Sequence, residues 1–394
     1  MTGAFEPVDL GALKLRNRVI KTAAFEGMTP QGVPSDALIE HHERVAAGGV
    51  SMTIVAYCAV SPLGLTFGDQ MWMREAIHEP LRRLTERVHR QNAAACLQLG
   101  HAGYFADKQT IGQSPLGASK KFNLYGLSFG KPMTEAQIET TVEAFGRAAR
   151  EAKESGFDAV ELHYGHGYLV SQFLSPFTNR RRDRFGGALK NRLRLPVAVL
   201  RRVRDAVGTA YPIIVKMNLE DGFKAGLQIG EAVQVAETLE AEGATALFLS
   251  GGFVSKTPFY MLRGDVPVRE MARNQPKLVR RLGLKLFGHV FVETYPIEDL
   301  FFLDTARKIR DAVSLPLILV GGVRSRKTIA RALEEGFDFV AMGRPLIRDP
   351  DFVSKLQTGA VESSDCDYCN RCVAEMENGG VRCVTLEEES AKKS

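Results

Sequence analysis

The sequence predicts an α/β fold, a (β/α)8 TIM barrel with long βα loops and a short cysteine-rich C-terminal tail. Three observations carry that expectation. Eight short apolar runs, rich in β-branched residues, alternate with longer amphipathic stretches. The runs are apolar at nearly every position, as parallel strands buried on both faces are. The connections after the third, fourth and sixth runs, residues 100–133, 164–190 and 252–297, are long. In a barrel such connections build the active-site face.

In chain order the strand candidates are "RVIKTAAF" (18–25), "SMTIVAYC" (51–58), "AACLQL" (94–99), "DAVELH" (158–163), "PIIVKMN" (212–218), "TALFLSG" (245–251), "PLILVGG" (316–322) and "DFVAMG" (338–343). The clearest helix candidates fall between them, at 79–91, 134–156, 191–208, 229–243, 298–313 and 325–336. Gly156, Gly208, Gly243 and Gly336 stand where four of these helices should stop. Residues 3–16 are expected to cap the barrel bottom. A doubly wound sheet would need a glycine fingerprint after its first strand, and none is present. Residues 1–360 are expected to form the barrel and 361–394 a tail packed on or near it.

Composition narrows the function classes. The chain has 394 residues, 45% hydrophobic and 25% charged, which describes an ordinary globular protein. A net charge of +5, without a dense basic block or a basic–aromatic stripe, argues against nucleic acid as a partner. "RRRDR" (180–184) is interrupted by Asp183 and is expected to form local ion pairs. The N-terminus does not read as a signal peptide, and no apolar run is long enough to span a membrane. A cytoplasmic location is the default expectation. The six cysteines are not spaced like a disulfide framework. The oligomeric state is left open, and a homo-oligomer is compatible with the sequence.

Two glycine-bearing turns follow the last strands, "VGGVRSR" (320–326) and "MGRPLIRDP" (342–350). Glycine lets backbone N–H groups approach a phosphate closely, and barrels commonly bind phosphate between the loops after strands seven and eight. Gly321, Gly322, Gly343 and Arg344 are therefore phosphate-site candidates. The plainer alternative is that the glycines only end strands. The stretch "ELHYGHGYLVSQFLSP" (161–176) raises a sharper question, because His163, His166 and Tyr168 cluster where the fourth strand ends in a chain with eight histidines.

"ELHYGHGYLVSQFLSPFTNRRRDRFGG" resembles the signature of the Old Yellow Enzyme family of FMN-dependent barrel oxidoreductases. "LKLRNRVIKTAAF", "CLQLGHAGY", "LVGGVRSR" and "FVAMGRPLIRDPDF" resemble the family's first, third and FMN-phosphate strands, so the likeness covers nearly the whole chain. It implies FMN across the barrel mouth, reduction by NADH or NADPH, and hydride transfer to an α,β-unsaturated carbonyl compound, with ping-pong kinetics at one site. His163 and His166 match the pair that hydrogen-bonds the substrate carbonyl oxygen, and two donors on one oxygen stabilise a developing enolate. Tyr168 matches the proton donor, a role a phenol can fill at neutral pH. Gln98 matches the glutamine that pairs with the flavin pyrimidine edge. Ala23 and Ala24 fall where small residues approach the flavin. Lys216 stands where much of the family has arginine near N1 and O2. Arg180, Arg182, Asp183 and Asn191 match a family run and read as braces of the long loop.

Three features depart from the family pattern. Phe25 occupies the place of a Thr or Cys that tunes the flavin potential, and it cannot donate a hydrogen bond. The segment 252–297 is either an ordinary packed excursion or a lid, with Phe259, Tyr260 and Arg263 as substrate or nicotinamide contacts. Cys366, Cys369, Cys372 and Cys383 form C-x2-C-x2-C-x10-C, a spacing that could hold zinc or an iron–sulfur cluster. The dienoyl-CoA reductase branch, which the chain resembles in its flavin domain, holds a [4Fe–4S] cluster just after the barrel. There the third cysteine comes one residue later, and the cluster relays electrons from an FAD domain not included in these residues. Reduced or disulfide-linked structural thiols are the alternative. Cys58 and Cys96 sit inside strands and read as buried apolar residues. Rival functions are an amine dehydrogenase or demethylase, a redox carrier using the cysteine tail, and a lyase or aldolase with a Schiff base at Lys216.

Overall fold

Eight parallel strands close into a barrel in which every strand pairs with its neighbour in sequence and the last pairs with the first. They are β1 (Val19–Lys21), β2 (Met52–Ala59), β3 (Ala94–Gly100), β4 (Ala159–His163), β5 (Ile213–Asn218), β6 (Ala246–Ser250), β7 (Leu317–Val320) and β8 (Phe339–Met342). The computed structural model describes residues 3–124, 126–274, 281–282, 293–376 and 378–392. Much of the far half of the 252–297 excursion, residues 275–280 and 283–292, lies outside the described residues.

The eight principal helices are α1 (Asp36–Ala47), α2 (His78–His89), α3 (Glu135–Glu154), α4 (Arg194–Val207), α5 (Ile229–Ala241), α6 (Leu303–Arg310), α7 (Arg326–Glu334) and α8 (Phe352–Thr358). Local signals start and stop them. Thr134 and Ser325 form capping boxes with Gln137 and Thr328. Gly156 and Gly336, just past α3 and α7, take φ of 89° and 84°, a left-handed backbone that favours glycine. Helix α1 was not among the clearest sequence candidates, although Ser35 caps it through the Leu38 N–H.

Side-chain alternation sorts the barrel interior. Ile20, Met52, Ile54, Cys96, Ile214, Phe248, Ile318 and Phe339 fill it as one buried cluster. Leu10 and Leu15, from the antiparallel hairpin Val8–Leu10 and Leu13–Leu15, join that cluster and plug the bottom, as expected for residues 3–16. Between barrel and helices lies a second, larger apolar layer that includes Val55, Leu97, Val160, Val215 and Leu319.

Two boundaries differ from the sequence reading. The first strand ends at Lys21 rather than 25, so Thr22 to Phe25 leave the sheet and line a cavity. The 298–313 helix shortens to α6, because residues 298–302 turn under the β7 loop, where Leu300 N–H reaches the Gly322 carbonyl. No helix among the described residues is long and apolar enough to cross a membrane.

Candidate active site

The inner face of the barrel changes character along the strands. Stepping by two, β3 runs Cys96 then Gln98, β4 runs Ala159, Glu161 then His163, and β5 runs Ile214, Lys216 then Asn218. Apolar residues fill the lower interior, and polar ones collect toward the C-terminal ends. Register then sets neighbours, with Gln98 opposite Glu161 and Lys216 opposite His163. A cavity opens above this layer. It is lined by all of the sequence-predicted catalytic and cofactor residues: His163, His166, Tyr168, Ala23, Ala24, Gln98, Lys216, Gly321, Gly322, Gly343 and Arg344.

His163 ends β4, and its ring centre lies 5.0 Å from that of His166 and 4.7 Å from that of Tyr168. The Gly165 N–H reaches His163 Nδ1 at 3.4 Å, which leaves Nε2 to carry the proton of the neutral ring. His166 sits in the left-handed region at φ 59°, held by its N–H on Asn218 Oδ1, and its Nε2 lies 2.7 Å from Ser250 Oγ. Burial pushes His163 well below its ordinary value, with the neighbouring His166 and Lys216 charges adding to the shift. Burial, then Lys216, pushes His166 down to about 3. Both rings are therefore neutral near pH 7. Burial pushes Tyr168 up to about 12, so its phenol keeps its proton.

A buried polar triad forms the floor beside them. Glu161 Oε1 accepts from Gln98 Nε2 at 2.5 Å and lies 2.9 Å from Lys216 Nζ. Lys216 also reaches Thr22 Oγ1 at 3.3 Å and stands 4.0 Å over the Phe248 ring. With one Gln98 N–H engaged by Glu161, the amide oxygen and the second N–H remain for a ligand. Among the described residues Glu161 Oε2 is buried without a hydrogen-bond partner.

At the opposite end are Gly321 and Gly322, at φ 104° and 73°, and Gly343. A Cβ on Gly321 would come within 2.8 Å of the Phe301 ring. The tail folds across this end, and Tyr368, Cys372, Val373, Met376 and Val381 line the cavity.

Comparisons with known proteins show the family. Residues 4–254 and 295–362 fit the model of the NADH:flavin oxidoreductase / NADH oxidase family. The chain belongs to that family. This is the Old Yellow Enzyme family of the sequence resemblance, and the protein is an FMN-dependent NAD(P)H oxidoreductase. The chain is 44% identical to the 4,4'-dithiodibutanoate disulfide reductase of Rhodococcus erythropolis, over 96% of this chain and 94% of that one. It is 32% identical to the metal reductase of Desulforamulus reducens, over 94% of this chain but only 51% of that longer one. Its fold is similar to that of 2-naphthoyl-CoA reductase, with a TM-score of 0.82 and 22% identity over 98% of this chain and 56% of that one. It is also similar to that of the Old Yellow Enzyme homologue of Zymomonas mobilis, with a TM-score of 0.73 and 22% identity over 92% and 95% of the two chains.

The cavity of this flavin oxidoreductase fits FMN in its donor set. An amide and an ammonium lie at one end, small alanines on one wall, and glycine turns at the other end. Arg344 departs from the simple phosphate-clamp expectation. Its guanidinium donates to the Leu262 and Arg263 carbonyls and to Asn370 Oδ1, and it covers the Tyr368 ring at 4.4 Å. It lines the cavity while tying the excursion after β6 to the tail.

Phe25 lines the cavity and packs on Phe67 at 5.2 Å. Of the suggested lid contacts, Phe259 is core. Tyr260 bonds Glu220 and packs over Gly252. Arg263 pairs with Glu298 and stacks on Phe301. None of the three lines the cavity, whereas their neighbours Met261 and Leu262 do.

The brace reading also needs correction in part. Asp183 holds Arg181, and Asn191 Nδ2 holds the Gly186 carbonyl. Among the described residues the Arg180 side chain has no ion pair; it is exposed, and its neighbour Arg181 takes the Asp183 carboxylate.

Among the described residues all six cysteines are free thiols, and no three of His, Cys, Asp or Glu form a group arranged to hold a metal. The tail thiols lie within electrostatic reach of one another, and three of them also have contacts of their own. Cys372 lines the cavity, Cys369 faces Thr385, and Cys383 accepts from Arg348. The metal expectation for Cys366, Cys369, Cys372 and Cys383 is not supported by this arrangement. Cys58 and Cys96 are fully buried, as expected.

Glu161, Tyr57 and Ser250 were not picked out from the sequence. A carboxylate inside an otherwise apolar strand was the available signal for Glu161. Tyr57 stacks edge-on against Tyr168 at 5.3 Å, and its hydroxyl lies 2.6 Å from Thr66 Oγ1. Nothing distinguished it from an ordinary strand aromatic.

Proposed function

We propose that this chain reduces the carbon–carbon double bond of α,β-unsaturated carbonyl compounds, using NADH or NADPH. The observation that carries the reading is the convergence of His163, His166 and Tyr168, neutral and proton-bearing, in one cavity with the FMN-fitting residues. Gln98 and Lys216 would hold the flavin ring at its pyrimidine side, Ala23 and Ala24 would let it lie close to β1, and Gly321, Gly322, Gly343 and Arg344 would line its phosphate. When bound, FMN supplies the acceptance of hydride from the nicotinamide and its donation to the alkene.

The rest of the chemistry belongs to side chains. His163 Nε2–H donates to the substrate carbonyl oxygen. His166 supplies the second donor from Nδ1 when the Ser250 hydroxyl donates to its Nε2. Two preorganised donors in a dry site stabilise the enolate charge as it develops. Tyr168 Oη holds a proton and gives it to the α-carbon. Lys216 places positive charge beside the flavin site, and Glu161 fixes its position. Residues 1–360 form the flavin barrel in this reading, and 361–394 complete the cavity as a tail.

The direct test is anaerobic stopped-flow mixing of reduced, FMN-loaded protein with 2-cyclohexenone. Saturating flavin reoxidation is expected. Failure to reoxidise with this enone and with simple enoates would sink the reading. A second reading, reduction of a disulfide, is favoured by the Rhodococcus relative and by a thiol, Cys372, in the cavity wall. There Tyr168 would protonate the departing thiolate. The same apparatus with 4,4'-dithiodibutanoate as oxidant separates the two.

A further inference from the structure

Three cations from three different loops stand within electrostatic reach of one another, outside the residues that line the cavity. Lys121 comes from the loop after β3, Arg180 from the loop after β4 and Lys256 from the loop after β6. Lys121 Nζ lies 3.4 Å from the centre of the Phe177 ring. Phe177 packs edge-on against Phe223 at 4.9 Å and Phe253 at 6.0 Å. Phe253 is fully buried and bridges to His166, and the next residue, Val254, donates to the His166 carbonyl and lines the cavity. Two packed aromatic rings, Phe177 and Phe253, therefore separate Lys121 from His166.

The loops that carry them are clasped together. Arg180 N–H donates to Ser119 Oγ at 2.8 Å, and Tyr104 Oη meets Ser255 Oγ at 2.7 Å. Among the described residues none of the three cations has an ion pair. In the same loop Arg181 and Arg184 do find carboxylates, on Asp183 and Glu135. Burial, followed by the charges of Arg180 and Lys256, holds Lys121 below its ordinary value, and no carboxylate offsets them. Unpaired like charges at a cleft raise the local concentration of anions and guide their entry.

We propose that Lys121, Arg180 and Lys256 form a cationic rim that selects substrates carrying a carboxylate beyond the reacting carbonyl. The rim leaves the reacting end untouched, so it acts on capture and KM rather than on the chemical step. This inference rests on the carbonyl-reduction reading for its kinetic consequence, but the rim itself can be tested by binding alone.

The experiment uses FMN-loaded protein, wild type and the triple variant Lys121→Gln, Arg180→Gln, Lys256→Gln. Binding is read from the flavin absorbance change with 4-hydroxybenzoate and with its uncharged methyl ester. Turnover is compared for trans-4-oxo-2-pentenoate and its methyl ester, with 2-cyclohexenone as the neutral control. The wild type is expected to prefer each acid over its ester. The triple variant should lose about tenfold in affinity and KM for the acids, with ester and cyclohexenone values unchanged. The acid preference should also shrink with added salt in the wild type only. Equal binding of acid and ester by the wild type, or an acid preference that survives in the variant, overturns the rim. Loss of all enone turnover with a retained, variant-sensitive acid preference overturns the carbonyl reading and leaves the rim standing. Arg180→Gln and Lys256→Gln alone, at exposed positions, guard against misfolding of the triple variant, and each should show about a twofold loss for acids only.

Discussion

The Lys216 ammonium lies 2.9 Å from the Glu161 carboxylate, and both side chains are buried in the barrel. Glu161 carries no substrate in the proposed reaction, yet it meets both side chains assigned to the flavin pyrimidine edge, Gln98 and Lys216. Removing one member of a buried pair leaves the other charge uncompensated. Glu161→Gln should therefore destabilise the protein by about 3 kcal/mol. Adding Lys216→Met should recover part of that loss. Urea unfolding of the wild type, both single variants and the double variant checks this, and additive losses would falsify the coupling.

Tyr168→Phe should slow flavin reoxidation by an enone about 100-fold or more while leaving reduction by NAD(P)H nearly unchanged. Tyr57→Phe, which keeps the ring beside Tyr168 but loses the Thr66 contact, should have a much smaller effect. Stopped-flow measurement of each half-reaction decides the matter. Equal slowing of both halves by Tyr168→Phe would remove it as the proton donor.

The pH profile of the oxidative half-reaction follows from the same neutral groups. His166 titrates at about 3 and Tyr168 at about 12. Between about pH 6 and 9 neither should change protonation state, so the rate should be flat. An inflection near the ordinary histidine value of 6.5 would show that a histidine charges in the working enzyme.

Stability should respond to pH where the rate does not. His42, His101, His163 and His166 are all lowered, His101 to about 4, chiefly by burial. A lowered histidine binds fewer protons folded than unfolded, so its stability contribution is full above 6.5, the unfolded value, and is lost as pH falls below it. Each such group can add a slope of up to about 1.4 kcal/mol per pH unit. His89, raised by its hydrogen bond to Asp158, works in the opposite sense. The urea midpoint should fall between about pH 6.5 and 4.5, and less steeply in His166→Gln. A constant midpoint over that window would contradict neutral burial.

Gly27 ties the tail to the barrel. It has φ 68°, and a Cβ there would stand 1.8 Å from the Met376 carbonyl oxygen. Gly27→Ala should displace the tail from the cavity wall, weaken FMN retention and expose the segment after 360 to proteolysis. The strained backbone alone costs about 1–2 kcal/mol. Limited proteolysis and released-flavin fluorescence are the readouts, and unchanged values in both would show that the tail does not close the site.

Much of this was legible in the linear order of residues. Alternating strands and helices, the glycines after α3 and α7, and the plug at 3–16 are local features that one chain segment encodes by itself. The cluster of His163, His166 and Tyr168 was legible because these residues are close in sequence at one strand end. The hydrogen bonds of Arg344 to the tail were not legible, because Asn370 is near it only after the tail folds back. Arg180 was misread because adjacent arginines compete for one carboxylate, and only coordinates show that Arg181 takes it.

The sequence by itself determined the barrel, its catalytic end and the family to which the chain belongs, since periodicity, turn chemistry and strand-end residues are short-range signals. Tertiary structure alone decided the Gln98–Glu161–Lys216 triad, the placement of Cys372 in the cavity wall and the nearness of Lys121, Arg180 and Lys256. The physical reason is register and closure. Those contacts join residues far apart in the chain, and they exist only because barrel strands pair at fixed offsets and the loops above them clasp one another.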